Sequence, residues 1–167
     1  AELNVTNLSG DWGSRIAQVA EAKLSGVSFE RPAIALAADT LVLHNEQPLG
    51  KPASSEEAKT MLERLQNPEH AEITAFCLKA LPEGVQVVDN AVTRVRFRSL
   101  SKEEIDDYIA LEKPFDKAGA YGIQDSAAAF VESIIGEYTN VVGLPLTRFA
   151  LALRRILRTL ASEEVPS

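Results

Sequence analysis

One segment limits the possible folds of this chain more than any other. Residues 33–43 have the sequence Ala-Ile-Ala-Leu-Ala-Ala-Asp-Thr-Leu-Val-Leu, an apolar run in which Asp39 is the only charged residue. Such a run is typical of a strand buried on both faces, and it is shorter than the ~20 residues that a membrane helix needs. Because an ionised carboxylate is costly to bury unless a cation or a metal meets it, Asp39 is a candidate functional acid. The alternative is a turn-forming aspartate bonded to local backbone N–H groups.

Four other segments have the apolar spacing of helices. They are predicted to begin at Asp11, Ser54, Ser101 and Pro145. Asp11 is a suitable N-cap, and Pro145 suits the first turn of a long C-terminal helix that extends through Leu160. At Ser54 and at Ser101, a glutamate three residues later completes the capping-box pattern.

Extended segments alternate with these helices. Residues 71–81 and 85–98 predict two strands joined as a hairpin, and residues 129–135 predict another strand. Residues 45–52 predict a loop, and residues 116–124 predict a glycine-rich loop. The alternation indicates an α/β or α+β fold with a mixed sheet, and it excludes a helical bundle or a sandwich.

The composition and net charge of the chain limit the kinds of molecule that it can bind. The 167 residues are 46% hydrophobic, enough for one globular domain, and they have a formal net charge of -7. An acidic chain is unsuited to coating duplex nucleic acid or an anionic membrane, although local cations can still bind a small anionic ligand. The single cysteine, Cys77, excludes an internal disulfide framework and fits a reducing compartment. No signal-peptide pattern opens the sequence, so we expect a cytoplasmic protein.

Several cations are candidates for such an anionic ligand. Lys51 lies between Gly50 and Pro52 in a turn that is not a Walker loop, and a surface lysine is the alternative interpretation. Lys23 lies on the apolar stripe of the first predicted helix, where lysines commonly extend toward solvent. In the 116–124 loop, Lys117 offers a charge and Gln124 an amide, while glycines permit close approach of a ligand. A purely structural glycine-rich connection fits the same composition.

Other polar residues favour structural roles. The arginines 94, 96 and 98 alternate with apolar residues, which predicts a solvated sheet face rather than a nucleic-acid surface. His44 and His70 have no zinc-ligand spacing around them. Cys77 lies inside an apolar strand, which favours a packed thiol over a nucleophile.

Four ordered motifs together resemble the Maf proteins, a family of nucleoside triphosphate pyrophosphatases. The motifs are Ala38-Asp39-Thr40-Leu-Val-Leu, Leu49-Gly50-Lys51-Pro52 with the helix that follows, Asp116-Lys-Ala-Gly-Ala-Tyr-Gly-Ile-Gln124 and Asn140-Val-Val-Gly-Leu-Pro-Leu146. The resemblance implies a single Maf-like domain over residues 1–167, an α/β fold with a mixed elongated sheet and flanking helices, and two lobes around a central cleft. It also implies a homodimer and hydrolysis of a nucleoside triphosphate to monophosphate and pyrophosphate. The 116–124 motif is similar to that of the branch acting on dTTP and UTP.

The resemblance also implies roles for individual residues. Asp39 matches the proton acceptor and would help to hold a divalent metal, Mg²⁺ or Mn²⁺. Lys51 and Lys23 match lysines of the phosphate site, and Lys117 falls in the substrate-binding motif. Thr40 and Gln124 match positions assigned to substrate choice. Attack of water on the α-phosphorus needs a base and cations on the phosphates, which these residue types supply.

The sequence departs from the family at its start. The family opens with a Ser-x-Ser-Pro-Arg-Arg loop that binds the phosphates, and no such segment occurs among the 167 residues. We therefore expect a chain that is N-terminally incomplete relative to the family, or a diverged member with impaired activity. Two alternatives follow: a protein that binds nucleotide or a protein partner without turnover, and, with less support, a nucleic-acid module using the arginine strand.

Overall fold

The computed structural model describes residues 4–163, which form five helices and five strands besides three short 3₁₀ turns. In chain order the main elements are α1 (Trp12–Leu24), β1 (Ala33–His44), β2 (Gln47–Leu49), α2 (Ser55–Leu65), β3 (His70–Leu81), β4 (Gln86–Phe97), α3 (Lys102–Glu112), β5 (Val131–Ile135), α4 (Tyr138–Val142) and α5 (Leu146–Glu163). The predicted α/β class is confirmed. Among the helices of residues 4–163, none combines the length and the apolar character needed to cross a membrane.

The five strands form one sheet in the order β2-β1-β3-β4-β5. The pairings β1–β2 and β4–β5 are antiparallel, and the sheet is antiparallel throughout rather than mixed. The expectation of a mixed sheet was wrong because neighbouring strands are joined by tight turns or by a helix that returns the chain to the same end of the sheet. A parallel pair needs a crossover to the opposite end.

The predicted loop at residues 45–52 contains strand β2. Asn45 and Glu46 have φ values of 51° and 60°, and His44 pairs with Gln47 directly beyond them. Two consecutive residues with positive φ form the type I′ turn that suits a two-residue hairpin. The strand was missed because its turn has the sequence Asn-Glu, without the glycine that usually marks this geometry.

The helix starts follow the predicted caps, with one difference. Ser101 and Glu104 form a complete capping box at α3. At α2, Ser54 accepts a hydrogen bond from the Glu57 backbone N–H, but the Glu57 carboxylate accepts from the Ala53 N–H at 2.7 Å. The capping box predicted for Ser54 and Glu57 is therefore only half formed, because the glutamate serves the preceding residue.

The strand predicted at residues 129–135 begins later than expected. Residues Ser126–Phe130 form a 3₁₀ turn, and β5 occupies only Val131–Ile135. Asp125 caps this turn by accepting from the Ala127 N–H at 2.9 Å, an interaction that favours a turn over an extended chain. The short helix α4 was not predicted.

The described residues form two compact units, which correspond to the two lobes expected from the sequence. Unit 1 comprises residues 4–39, 74–91 and 143–163, and unit 2 comprises residues 40–73 and 92–142. The long strands β1, β3 and β4 each contribute residues to both units. In unit 1, Ala20 and Leu24 of α1 pack with Ala35 of β1, and Ile156 of α5 packs with Phe76 of β3. The larger core of unit 2 contains buried residues of α2, α3 and the 116–124 loop.

Candidate active site

In unit 1, a lysine meets the carboxylate of Asp39. Lys23, in the last turn of α1, donates from Nζ to Asp39 Oδ1 at 2.6 Å and to the Ala38 backbone oxygen at 2.9 Å. The two side chains are 41% and 34% exposed, so the pair is accessible to solutes. The turn-forming alternative for Asp39 is wrong, because the residue lies within β1 and its carboxylate bonds to a lysine sixteen positions away.

The position of Lys23 follows from how α1 is built. Asp11 caps the helix through a 2.8 Å hydrogen bond from the Ser14 backbone N–H, and this bond lowers the pKa of Asp11. At the other end, Leu24 packs in the same apolar cluster as Ala35 of β1. Packing of the last helical turn against the strand brings the adjacent Lys23 to Asp39.

Thr40 follows Asp39 in β1 and is half-buried, as Asp39 is. Successive residues of a strand point to opposite faces of the sheet. The side chains of Asp39 and Thr40 are therefore directed to different faces, and the role of Thr40 in substrate choice stays a prediction.

In unit 2, a backbone hydrogen bond joins the Lys51 turn to the glycine-rich loop. The Gly119 N–H donates to the Gly50 oxygen at 3.0 Å. Gly119 has a φ of 70°, and a Cβ at this position would lie 3.2 Å from Cγ1 of Val42. Glycine is required here both for its backbone conformation and for the close approach of β1. The structure therefore gives Gly119 a structural reason, and the ligand-binding role of the loop stays a prediction.

Two lysines act on one acid where these segments meet. Lys117 Nζ donates to Asp116 Oδ1 at 2.9 Å. This bond lowers the pKa of Asp116, and the charge of Lys51 lowers it further. Lys51 is exposed and the Lys117 side chain is 35% exposed, so both ammonium groups are accessible to a solute. The structure thus brings together two of the predicted cations.

Gly122 makes room for the stem of Lys117. A Cβ on Gly122 would lie 2.9 Å from Lys117 Cε and 2.8 Å from Asp125 Oδ2. The space at this glycine is therefore filled by the chain's own side chains. Gln124, two residues further on, is exposed and offers its amide to solvent.

Sequence reasoning missed a buried polar group beneath this loop. The Tyr121 hydroxyl donates to Glu72, and His70 Nε2 lies 2.8 Å from the same hydroxyl. Glu72 is only 4% exposed. The available signal was the glutamate itself, an ionisable residue inside the apolar pattern of β3.

Two structural interpretations from the sequence are confirmed. The side chains of Arg94 and Arg96 are each 63% exposed on a solvated sheet face, and they pair with Glu69 and Glu132. Cys77 is fully buried in β3, and burial raises the pKa of its thiol, as expected for a packed cysteine. Within residues 4–163, no group of three or more histidine, cysteine, aspartate or glutamate side chains converges as a metal centre would require.

Comparison with known proteins places this α/β chain in a family. A family model described as Maf-like protein matches residues 7–156. The dTTP/UTP pyrophosphatase of Syntrophomonas wolfei is 43% identical over 167 residues, covering 98% of this chain and 88% of the relative. The dTTP/UTP pyrophosphatase of Desulforamulus reducens is 40% identical over 143 residues, covering 85% of this chain and 75% of the relative. The protein of that name from Clostridioides difficile is 41% identical over 135 residues, covering 81% and 70%.

The structure is that of an α/β protein in which Lys117, on the glycine-rich loop, and Lys51, in the turn bonded to that loop, are both accessible. The chain belongs to the Maf-like protein family.

Proposed function

We propose that this protein hydrolyses nucleoside triphosphates of the dTTP and UTP type to the monophosphate and pyrophosphate. The observation that supports this most directly is the hydrogen bond between Gly119 and Gly50, which joins two segments bearing accessible lysines. Clustered ammonium groups suit a polyphosphate, whose transfer chemistry depends on positioning and charge stabilisation. The names of the curated relatives support the same activity.

Each predicted residue has a role in this proposal. Asp39 takes a proton from the water that attacks the α-phosphorus. Lys23 was predicted to bind phosphate, but its ammonium donates to Asp39, so here it holds that carboxylate in one orientation. Lys51 and Lys117 contact phosphate oxygens and stabilise the charge that develops on the leaving pyrophosphate. The exposed amide of Gln124, together with Thr40, contributes to the choice of nucleotide, because an amide both donates and accepts hydrogen bonds.

A divalent metal, Mg²⁺ or Mn²⁺, belongs to the proposal, and the donor set fits it. Asp39 offers a carboxylate, the ligand type that these hard cations prefer. Residues 4–163 supply no convergent cluster of three such ligands, which suits a metal held by one carboxylate and the substrate's phosphates. Asp39 is the residue that would hold it. When bound, the metal withdraws negative charge from the phosphates.

The proposal extends to domain organisation, assembly and compartment. The family match over residues 7–156 includes residues of both units, which supports one Maf-like domain. The exposed leucines 146, 151 and 157 of α5 support a homodimer, since apolar surface of this kind favours association. A buried free thiol at Cys77 supports a reducing compartment such as the cytoplasm. Light scattering should give a mass twice the chain's 18.1 kDa.

Pyrophosphate release from dTTP, UTP and GTP with Mg²⁺ or Mn²⁺ tests the activity. We expect turnover of dTTP and UTP in preference to GTP. Asp39→Asn should lower kcat by about 100-fold or more, the usual effect of losing a general base. The matched control is Asp106→Asn, which also removes an accessible lysine–aspartate pair, at 2.7 Å from Lys59. Nucleotide that raises Tm without being consumed would instead indicate binding without turnover, and equal effects of both substitutions would contradict the role of Asp39.

A further inference from the structure

Glu72 is an ionisable group enclosed in unit 2. It lies in β3, is 4% exposed, and accepts a hydrogen bond from the Tyr121 hydroxyl. Within the described part of the chain, no lysine or arginine forms an ion pair with it. Burial raises the pKa of Glu72 from its ordinary 4.5 to about 7, while the bond from Tyr121 lowers it. An uncompensated buried carboxyl is costly, so its presence suggests a specific task.

Tyr121 connects Glu72 to His70. Because the phenol has one proton and donates it to Glu72, its oxygen accepts from Nε2–H of His70, 2.8 Å away. Burial lowers the pKa of His70 to about 4, so the imidazole is neutral at pH 7. The Phe97 ring lies edge-on to both rings, with centroids 5.0 Å from His70 and 4.8 Å from Tyr121. These contacts fix the Tyr121 side chain from several sides.

Among the described residues, Tyr121 is the only group besides burial that shifts the pKa of Glu72. From α4, the Asn140 amide donates to the Glu72 backbone oxygen at 2.9 Å and to the Thr93 hydroxyl of β4 at 3.0 Å. Tyr108 contributes to raising the pKa of Tyr121, and His44 contributes to lowering the pKa of His70. Tyr121 and His70 are therefore the ionisable groups that face the Glu72 carboxyl.

Tyr121 lies where the glycine-rich loop needs support. The preceding residue, Ala120, is fully buried and has a φ of 63°, which is uncommon for a residue with a side chain. Such a conformation persists only when its surroundings hold it. On one side Gly119 bonds to Gly50, and on the other side Tyr121 bonds to Glu72. The following residue, Gly122, packs against the Lys117 stem.

We propose that Glu72 is a positioning residue for nucleotide binding: by holding the Tyr121 hydroxyl, it fixes the loop segment that places Lys117 beside Lys51. This inference rests on the proposed function, since it assigns those lysines to the phosphates. A neutral Glu72 accepts a weaker hydrogen bond than an ionised one. Burial outweighs this gain and raises the pKa of Glu72 to about 7, so loss of its proton favours opening of the loop, and the KM for dTTP rises between pH 6 and pH 8.

The test compares Tyr121→Phe, Glu72→Gln and the control Ile73→Val, which trims a neighbouring buried residue of β3 without touching the hydrogen bonds. Tyr121→Phe should raise the KM for dTTP about tenfold and change kcat less than about twofold. Glu72→Gln keeps an acceptor but cannot ionise, so its KM should match that of the native protein near pH 6 and should not show the native rise toward pH 8. Substrate titration is common to all variants and cancels in the comparison.

Hydrogen exchange of the Gly119 amide, without nucleotide, separates this inference from the proposed function. Its bond to Gly50 protects it, and Tyr121→Phe should increase its exchange rate about tenfold while Ile73→Val leaves it within about twofold. Failure of the native protein to hydrolyse any triphosphate would overturn the proposed function, and the exchange rate would still decide whether Tyr121 holds the loop. An unchanged exchange rate, or an unchanged KM in an active Tyr121→Phe protein, would overturn the role of Glu72.

Discussion

The interiors of the two units are built from different chemistry. The described residues of unit 1 bury apolar clusters around α1 and α5, and Thr74 is their one buried polar side chain. Unit 2 also has a large apolar core, but it buries five polar side chains as well. They are His44, His70, Glu72, Thr93 and Asn140. The polar interior lies beneath the loop that bears Lys117, while the candidate base of unit 1 is in a half-exposed ion pair.

This difference shows how each unit holds its candidate site residues in place. Apolar burial is non-directional, and its stabilisation is proportional to the area removed from water. Buried hydrogen bonds are directional, and each one left unmade is costly, so they select one arrangement of the loop. Unit 2 therefore has a defined conformation around Tyr121, whereas the placement of Asp39 needs only the Lys23 contact and a well-packed α1.

The largest expected effect concerns the apolar interior of unit 1. Phe76 is fully buried, and its ring lies edge-on to that of Phe149 at 6.2 Å. Phe76→Ala should lower the free energy of unfolding by about 3–5 kcal/mol through lost burial and a residual cavity. Phe76 packs in an apolar cluster of the described residues, so this loss should be the same at pH 5 and pH 7.

Denaturant unfolding at both pH values measures the loss. The control is Phe29→Ala, because Phe29 is 55% exposed and its removal should cost less than about 0.5 kcal/mol. If the loss of unfolding free energy in Phe76→Ala varied strongly with pH, the two interiors would not differ in the way described.

The next effect is a pH dependence specific to unit 2. The pKa of Glu72 is raised from 4.5 to about 7, so the folded protein binds more protons than the unfolded chain in that window, and stability falls as pH rises through it. The pKa of His70 is lowered from 6.5 to about 4, so His70 acts in the opposite sense, and stability rises with pH between these values. The two contributions nearly cancel between pH 4.5 and pH 6.5.

Glu72→Gln should uncover the His70 contribution. The free energy of unfolding of this variant should rise by about 3 kcal/mol between pH 4 and pH 6.5, while that of the native protein stays flatter. Chemical unfolding of both proteins across this range is the measurement. Identical pH profiles would contradict the assignment of a shifted pKa to Glu72.

The smallest of these effects concerns the loop lysines. Lys117→Met keeps the length of the side chain and removes its charge, and it should raise the KM for dTTP about tenfold by removing one charge-assisted contact. Lys102→Met is the matched control, since Lys102 is an exposed lysine at the start of α3. Steady-state kinetics of both variants should separate them. Equal KM values would show that Lys117 does not contact the phosphates.

Local sequence patterns predicted most of the fold, because helix caps, strand alternation and apolar runs each depend on residues that are close together in the sequence. Asp11 and Ser101 cap helices as expected, and β1 is the strand that its apolar run predicts. The prediction that β1 is buried on both faces is correct only for its last residues, 41–44, because Ile34 and Leu36 are exposed. Local patterns failed at the turn before β2, because Asn45-Glu46 is an uncommon sequence for two consecutive residues with positive φ. They also failed for the sheet direction, which depends on where each connection returns the chain.

The candidate site divides in the same way. Each of the motifs around Asp39, Lys51 and Lys117 is a continuous stretch of sequence, so it could be recognised. The contacts that these residues make in the folded chain could not be predicted. The Lys23–Asp39 pair spans 16 positions and the Tyr121–Glu72 bond spans 49, so only the folded chain brings these groups together. The apolar pattern around Glu72 is a signal that this glutamate is buried, but no local pattern identifies Tyr121 as its partner.

The central claim is that water attacks the α-phosphorus of a dTTP-like nucleotide, and isotope labelling tests it most directly. The native protein would turn over dTTP with Mg²⁺ in water enriched in the heavy oxygen isotope, and mass spectrometry would locate the label. Attack at the α-phosphorus predicts one heavy oxygen in the nucleoside monophosphate and none in the pyrophosphate. Label in the pyrophosphate, release of orthophosphate as the first product, or no consumption of dTTP and UTP would contradict the account.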